Sequence, residues 1–178
     1  MKDMDFEGKR KILFSREEIS KRVHELGDEI SKDYKDKEIV VISLLRGSFI
    51  FAADLVREIN IPVNMDFITT SSYGYDESSP GTVEIITDVR TDIKGKDVLI
   101  VDDIMDSGYT MQKVVEFINK KGPNSIKTCC MLDKPSRRKA DIFSDYIGFS
   151  IPDVFIVGYG LNYGDFYRNV PYIFTFDD

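Results

Sequence analysis

The sequence contains no tryptophan, one histidine and two cysteines among 178 residues. So few imidazole and thiol groups leave no room for a zinc centre. Cys129 and Cys130 are neighbours in a strand-like run, and neighbours on a strand point to opposite faces, so they cannot readily bridge each other. Two buried thiols in a reducing compartment are expected instead. Long apolar stretches are missing too: no run approaches the ~18 residues that a membrane span needs. The first residues, "MKDMDFEGKRKILF", lack the apolar core of a secretory signal, and the expectation is a cytoplasmic protein. Positive charge is also scarce. Lys and Arg number 24 against 31 Asp and Glu, a net charge of −7. A dedicated nucleic-acid binder would carry a basic face, so that class is set aside; a small phosphate ligand needs only local donors and stays open.

What is present is an alternation of two periodicities. Ser15 and Glu18 form a capping box, and Ile19, Val23, Leu26 and Ile30 follow at helical spacing, which predicts an amphipathic helix from Ser15 to about Tyr34. His24 lies beside that stripe and has no second histidine to work with. "EIVVISLL" reads as a buried strand and "SFIFAADLVREI" as a helix. "VNMDFIT", "VEIITDV", "KDVLIVDD", "SIKTCCML", "VFIVGYG" and "YIFTF" read as strands, and "YTMQKVVEFINKKG" as a helix stopped by Gly122 and Pro123. Strands alternating with helices predict one α/β domain with a mostly parallel twisted sheet covered by helices on both faces. In such sheets ligands bind outside the carboxyl ends of the strands, so the loops after Leu44, Val101 and Leu132, and one beside "VFIVGYG", are the places to look.

The stretch "VLIVDDIMDSGYTM", Val98 to Met111, stands out. A buried strand delivers Asp102, Asp103 and Asp106 to one end, where like charges repel. A Walker B strand would need a Walker A loop, but Gly8-Lys9 and Gly95-Lys96 are not followed by Ser or Thr and open no helix. A signalling receiver would fit the acidic pair and the later Lys134-Pro135. It needs a further strand-end Asp between them, and the spacing has none. The reading that uses the whole stretch is different. "DSGYT" places Gly108 at the start of a helix with Ser107 and Thr110, a nest of backbone N–H groups for one phosphate. Asp102 and Asp103 precede it and suit a vicinal diol. Ribose 5-phosphate carries diol and phosphate at its two ends, and its hydroxyls with Mg²⁺ would offset the repulsion among the acids.

These residues resemble the signature of type I phosphoribosyltransferases. "SLLRGSFIFAADL", "SSYG", "LDKPSRR", "PDVFIVGYGLNY" and "FYRNVPYI" extend the resemblance from about Leu13 to Phe176, to the bacterial hypoxanthine-guanine branch. The resemblance implies the type I phosphoribosyltransferase fold with a small hood, from the N- and C-terminal segments, over the base site. It implies transfer of ribose 5-phosphate from phosphoribosyl pyrophosphate to N9 of hypoxanthine or guanine, giving IMP or GMP and pyrophosphate. It also implies the roles of residues. Asp102 and Asp103 hold the ribose hydroxyls, directly or through Mg²⁺ and water. Asp106 is the general base or acid near purine N7. Ser107, Gly108, Tyr109 and Thr110 bind the 5′-phosphate. Leu45, Arg46 and Gly47 form the pyrophosphate loop, which in the family contains a non-proline cis peptide, and Arg168 is a second pyrophosphate contact. Lys134 donates to the purine O6, Phe155 stacks on the base and Ile156 offers its backbone to the base edge. Read alone, Phe155 would be a core aromatic and Lys134 a surface lysine. A lid at about 71–81 carries Ser72 and Tyr73 at its base.

Two positions depart from the family pattern. Asp102 stands where the family usually has Glu, a shorter reach. Asn162 stands where it generally has an Asp that helps hold a second metal, so this metal site loses a charge. The resemblance also implies a homodimer or homotetramer. A rival class is a nucleotide-sensing regulator built on the same fold. The acidic balance and the presence of Lys134, Asp106 and Arg46 favour the enzyme.

Overall fold

The structure, a computed structural model, describes residues 10–73 and 82–176, with the side chains at 72, 73 and 82 excepted. Its elements are β1 (Arg10–Phe14), α1 (Arg16–Asp33), β2 (Ile39–Leu45), α2 (Phe49–Glu58), β3 (Val63–Tyr73), β4 (Thr82–Thr87), β5 (Asp97–Met105), α3 (Tyr109–Asn119), β6 (Ser125–Asp133), β7 (Tyr146–Ser150) and β8 (Ile173–Phe176). A 3₁₀ turn, Pro135–Arg137, follows β6. Six strands form one sheet in the order β4-β3-β2-β5-β6-β7, parallel except where β4 pairs antiparallel with β3. β1 and β8 form a separate antiparallel pair.

The local reasons for these elements are visible. Ser15 and Glu18 make the capping box, Glu18 N–H donating to Ser15 Oγ at 3.2 Å and Ser15 N–H to Glu18 Oε2 at 2.8 Å. The apolar stripe of α1 packs with α2 on one sheet face, against Val41, Leu99 and Val101. α3 covers the other face, with Met111, Val114 and Ile118 against Val40, Ile42, Val98 and Ile100. Alternate residues of β2 and β5 thus feed two cores, as a sheet buried on both faces requires. Cys129 and Cys130 divide between those cores, both buried and free.

Three elements correct the expectations. "VFIVGYG" is not a strand. Val157 makes a single bridge to Phe174, and then Gly158, Tyr159 and Gly160 all take positive φ (101°, 50° and 101°), which coils the chain away from any extended path. The sixth sheet strand is β7, "YIGFS", a run with only a short apolar alternation; β1 was likewise unforeseen. The expected lid at about 71–81 falls mostly outside the described residues. The backbone of Ser72 and Tyr73 closes β3 opposite Val83 and Thr82.

α1 and α2 touch through Gly27. A Cβ there would stand 2.5 Å from Glu58 Cβ and 2.6 Å from Glu58 O. Ser31 ties the same corner, donating to Gly27 O at 2.6 Å and accepting from Asn60 N–H at 2.9 Å. Gly27→Ala gains helix propensity worth about 1 kcal/mol. It also meets backbone that cannot swing aside, an overpacking cost of about 1–3 kcal/mol. The expected result is a lower urea midpoint with unchanged slope. A midpoint equal to or above the wild type would contradict this account of the helix pair.

Candidate active site

β2 and β5 are neighbours at the centre of the sheet, but their exits diverge. α2 carries the chain from β2 to β3 on one side, and α3 carries it from β5 to β6 on the other. A crevice opens at that switch point. It is a cavity of about 240 Å³, lined by Leu44, Leu45 and Gly47 from the end of β2 and by Asp102 to Gly108, Thr110 and Met111 from β5 and α3. A larger hollow of about 470 Å³ lies between α1, α2 and the C-terminal segment; Arg168 lines it, and none of the strand-end acids does.

Asp102 and Asp103 stand side by side in the crevice. Asp103 N–H donates to Asp102 Oδ1 and Ile104 N–H to Asp103 Oδ1, each at 2.9 Å. Burial, followed by the charge of Asp103, raises the Asp102 pKa well above the carboxylate range. Burial also raises that of Asp103, which hydrogen bonds and the charge of Arg168 partly offset. Such a pair gains from any cation or hydroxyl that shares its charge.

The loop after β2 closes on Asp103. The Leu45–Arg46 peptide is cis. A side chain at Gly47 would overlap the Asp103 carboxylate, and one at Gly160 would overlap Gly47 O, so two backbone turns meet over the acid. Arg168 belongs to the second turn and donates to Gly160 O at 2.6 Å. Its pKa is lowered by burial and then by Arg46, while Asp103 opposes the shift. Two guanidinium groups close enough to repel, beside one acid, make a site that suits a multiply charged anion.

On the opposite wall Gly108 is the N-cap of α3 at φ 88°, with no side-chain cap and no acid in the first turn. Ser107, Gly108 and Thr110 line the crevice there, so uncapped N–H groups and hydroxyls face it together. Asp106 follows β5 directly, and Arg137 Nε donates to its Oδ1 at 2.8 Å.

Lys134 and Phe155 reverse the reading each would receive in isolation. Lys134 is only 7% exposed, with Nζ 3.7 Å from Asp153 Oδ1. Phe155 is 56% exposed, its ring edge-on to Tyr163 at 5.7 Å, and Ile156 beside it is buried. Tyr109 opens α3 and is half-buried. Asn162 is exposed and does not line the crevice; its Nδ2 donates to Gly164 O at 2.6 Å. The side chains of Ser72 and Tyr73 lie outside the described residues. Sequence reasoning gave no role to Arg137, Arg138 or Asp153, although the quoted motifs contain them. Two arginines, one serine beyond a Lys-Pro at a strand end, were the available signal.

A parallel-sheet switch point that pairs an acidic dyad with a helix-capped anion nest and an arginine pair defines a phosphoribosyltransferase. The model of the phosphoribosyl transferase domain matches residues 10–164, and the chain belongs to that family. Within it, the relatives are of one kind. The chain is 49% identical to the hypoxanthine phosphoribosyltransferase of Salmonella typhimurium over 164 residues, 91% of this chain and 92% of that one. It is 48% identical to the hypoxanthine-guanine phosphoribosyltransferase of Bacillus subtilis, covering 92% and 91%. A crystal structure of a hypoxanthine-guanine phosphoribosyltransferase from Bacillus anthracis superposes with a TM-score of 0.90 at 45% identity, covering 95% and 99%.

Proposed function

We propose that this chain is a purine-salvage enzyme that transfers ribose 5-phosphate from phosphoribosyl pyrophosphate to N9 of hypoxanthine or guanine. The observation that carries the reading is the crevice between β2 and β5, where donors for two anionic groups flank the Asp102–Asp103 pair. The helix N-terminus at Gly108 would take the 5′-phosphate, and Asp102 and Asp103 the ribose hydroxyls. Arg46, Arg168 and the backbone at Leu45 to Gly47 would hold the pyrophosphate as it leaves. Lys134 would donate to the 6-oxo group, the exposed Phe155 ring would cover the base, and Ile156 would meet its edge through the backbone. Asp106 would accept the proton that the base loses as the C1′–N9 bond forms.

The donor set also suits Mg²⁺. No cluster of three or more His, Cys, Asp or Glu able to cage a metal occurs among the described residues. Mg²⁺ ordinarily binds through one or two carboxylates, waters and substrate phosphates, which is what Asp102 and Asp103 offer. When bound, it would supply positive charge to the pyrophosphate leaving group. Among the described residues no helix is long and apolar enough to cross a membrane. A cytoplasmic enzyme of two or four copies, without nucleic-acid partners, completes the reading. The test is to incubate the protein with phosphoribosyl pyrophosphate, Mg²⁺ and hypoxanthine and to count IMP and pyrophosphate together. Equal amounts over many turnovers are expected. Nucleotide binding without turnover would overturn the enzyme reading in favour of a regulator.

Asn162 gives a second test. Asn162→Asp exchanges the amide that donates to Gly164 O for a carboxylate that this carbonyl repels, so the side chain must turn outward. Gly160, two residues earlier, packs on Gly47, so the turn that carries the new charge meets the proposed pyrophosphate loop through its backbone. Pyrophosphate should bind modestly tighter at fixed free Mg²⁺, since a carboxylate reaches this metal through its waters. Weaker binding at saturating Mg²⁺ would mean that Asn162 relieves charge there instead.

A further inference from the structure

The segment after β6 is tied to the loop after β5 at several points. Lys134 N–H donates to Met105 O at 3.0 Å, and Lys139 and Ala140 N–H donate to Ser107 O at 2.9 and 3.0 Å. Arg138 holds the backbone of the same loop, its Nε donating to Asp106 O at 3.2 Å, and it pairs with Asp133. The Asp106 side chain is held separately. Arg137 Nε donates to Asp106 Oδ1 at 2.8 Å, and its Nη1 donates to Asp153 Oδ2 at 3.3 Å. The other oxygen of Asp153 faces Lys134 Nζ at 3.7 Å. Four alternating charges, Asp106, Arg137, Asp153 and Lys134, therefore run in a row that starts at the crevice. Among the described residues, Asp106 Oδ2 accepts no hydrogen bond.

Arg137 is 49% exposed and its two partners are similarly open. Ion pairs this open contribute little to stability. What a planar guanidinium supplies here is direction, because its fork can hold two carboxylates at set angles and a lysine cannot. We propose that Arg137 is a positioning residue of the transfer reaction. It fixes the Asp106 carboxylate through Oδ1, leaves Oδ2 for the purine, and through Asp153 keeps that carboxylate in register with Lys134. The inference rests on the reading of Asp106 as the proton acceptor.

A double-mutant cycle on the full-length protein tests it. Arg137→Gln should lower the single-turnover rate with hypoxanthine roughly tenfold, the scale of coupling between residues in direct contact. KM for phosphoribosyl pyrophosphate and the melting temperature should stay at wild-type values, and Arg137→Lys should recover part of the rate. In an Asp106→Asn background, Arg137→Gln should change the rate less than twofold, because the group through which it acts is already gone. An equal loss in both backgrounds, a wild-type rate or a faster rate would each overturn the proposal. Should Asp106→Asn alone cost nothing, the reading of Asp106 as proton acceptor fails and the proposal for Arg137 falls with it, whereas a slow Asp106→Asn beside a wild-type Arg137→Gln overturns the positioning role alone.

Discussion

Asp106→Asn should lower the single-turnover rate of transfer to hypoxanthine by about 10²–10⁴-fold, the usual contribution of a positioned general base. Asn keeps an Oδ1 that can accept from Arg137 Nε, now 2.8 Å away, so the side chain stays where it is. The function lost would be the proposed acceptance of a proton. Binding of the sugar donor should change little, since on the proposed reading its phosphate, diol and pyrophosphate groups would fall to the α3 N-terminus, the Asp102–Asp103 pair and the two arginines. Single-turnover rates are the right readout because product release limits steady-state turnover in many enzymes. An unchanged rate would reduce Asp106 to a partner of Arg137 and Arg138 that orders the loop.

Lys134→Met should lower kcat/KM for hypoxanthine by roughly 10–100-fold, the cost of leaving a buried polar group without its charged partner. Lys134 is nearly enclosed, and an ammonium only donates, so it matches an oxo group and meets only donors on a 6-amino group. The variant should fold, because Asp153 keeps Arg137 at 3.3 Å and the methionine retains most of the apolar stem. Discrimination against adenine should fall at the same time, since the group proposed to reject it would be gone. A Lys134→Met enzyme with wild-type preference would move the specificity determinant elsewhere, to the backbone at Ile156 or to the stacking ring.

The fold was legible wherever an apolar run is sustained or a cap is spelled out. α1, α2, α3 and the four central strands β2, β3, β5 and β6 each carry a run long enough to declare its period, and the box at Ser15 and Glu18 is a local signal that tertiary context did not need to supply. β7 was not legible. Its edge position asks only for a few residues to pair with β6, and Arg22 of α1 serves its backbone by donating to Gly148 O and Ile147 O. The apolar run at Val154–Gly160 misled for the opposite reason. It is apolar because Ile156, Val157 and Tyr159 pack under the turn, while its glycines take φ values that no strand holds.

The acids and the nest were readable because they are contiguous in sequence and follow one strand. Arg46, Arg168, Lys134 and Phe155 are brought in from separate loops, and only the family resemblance named them. The burial of Lys134 and the exposure of Phe155 run against what each residue type ordinarily does. Arg137 escaped notice because its meaning lies in where its two donors point, which no spacing encodes.

The most direct test of the account is a competition between hypoxanthine and adenine for phosphoribosyl pyrophosphate on the unmodified enzyme with Mg²⁺, reading both nucleotides as they form. A site that pairs one polar group with a fixed charged donor rejects the mismatched analogue by about 10⁴–10⁵-fold. IMP should form with adenine nucleotide at or below one part in roughly 10⁴. Comparable yields of the two would contradict the assignment of this crevice to 6-oxopurines.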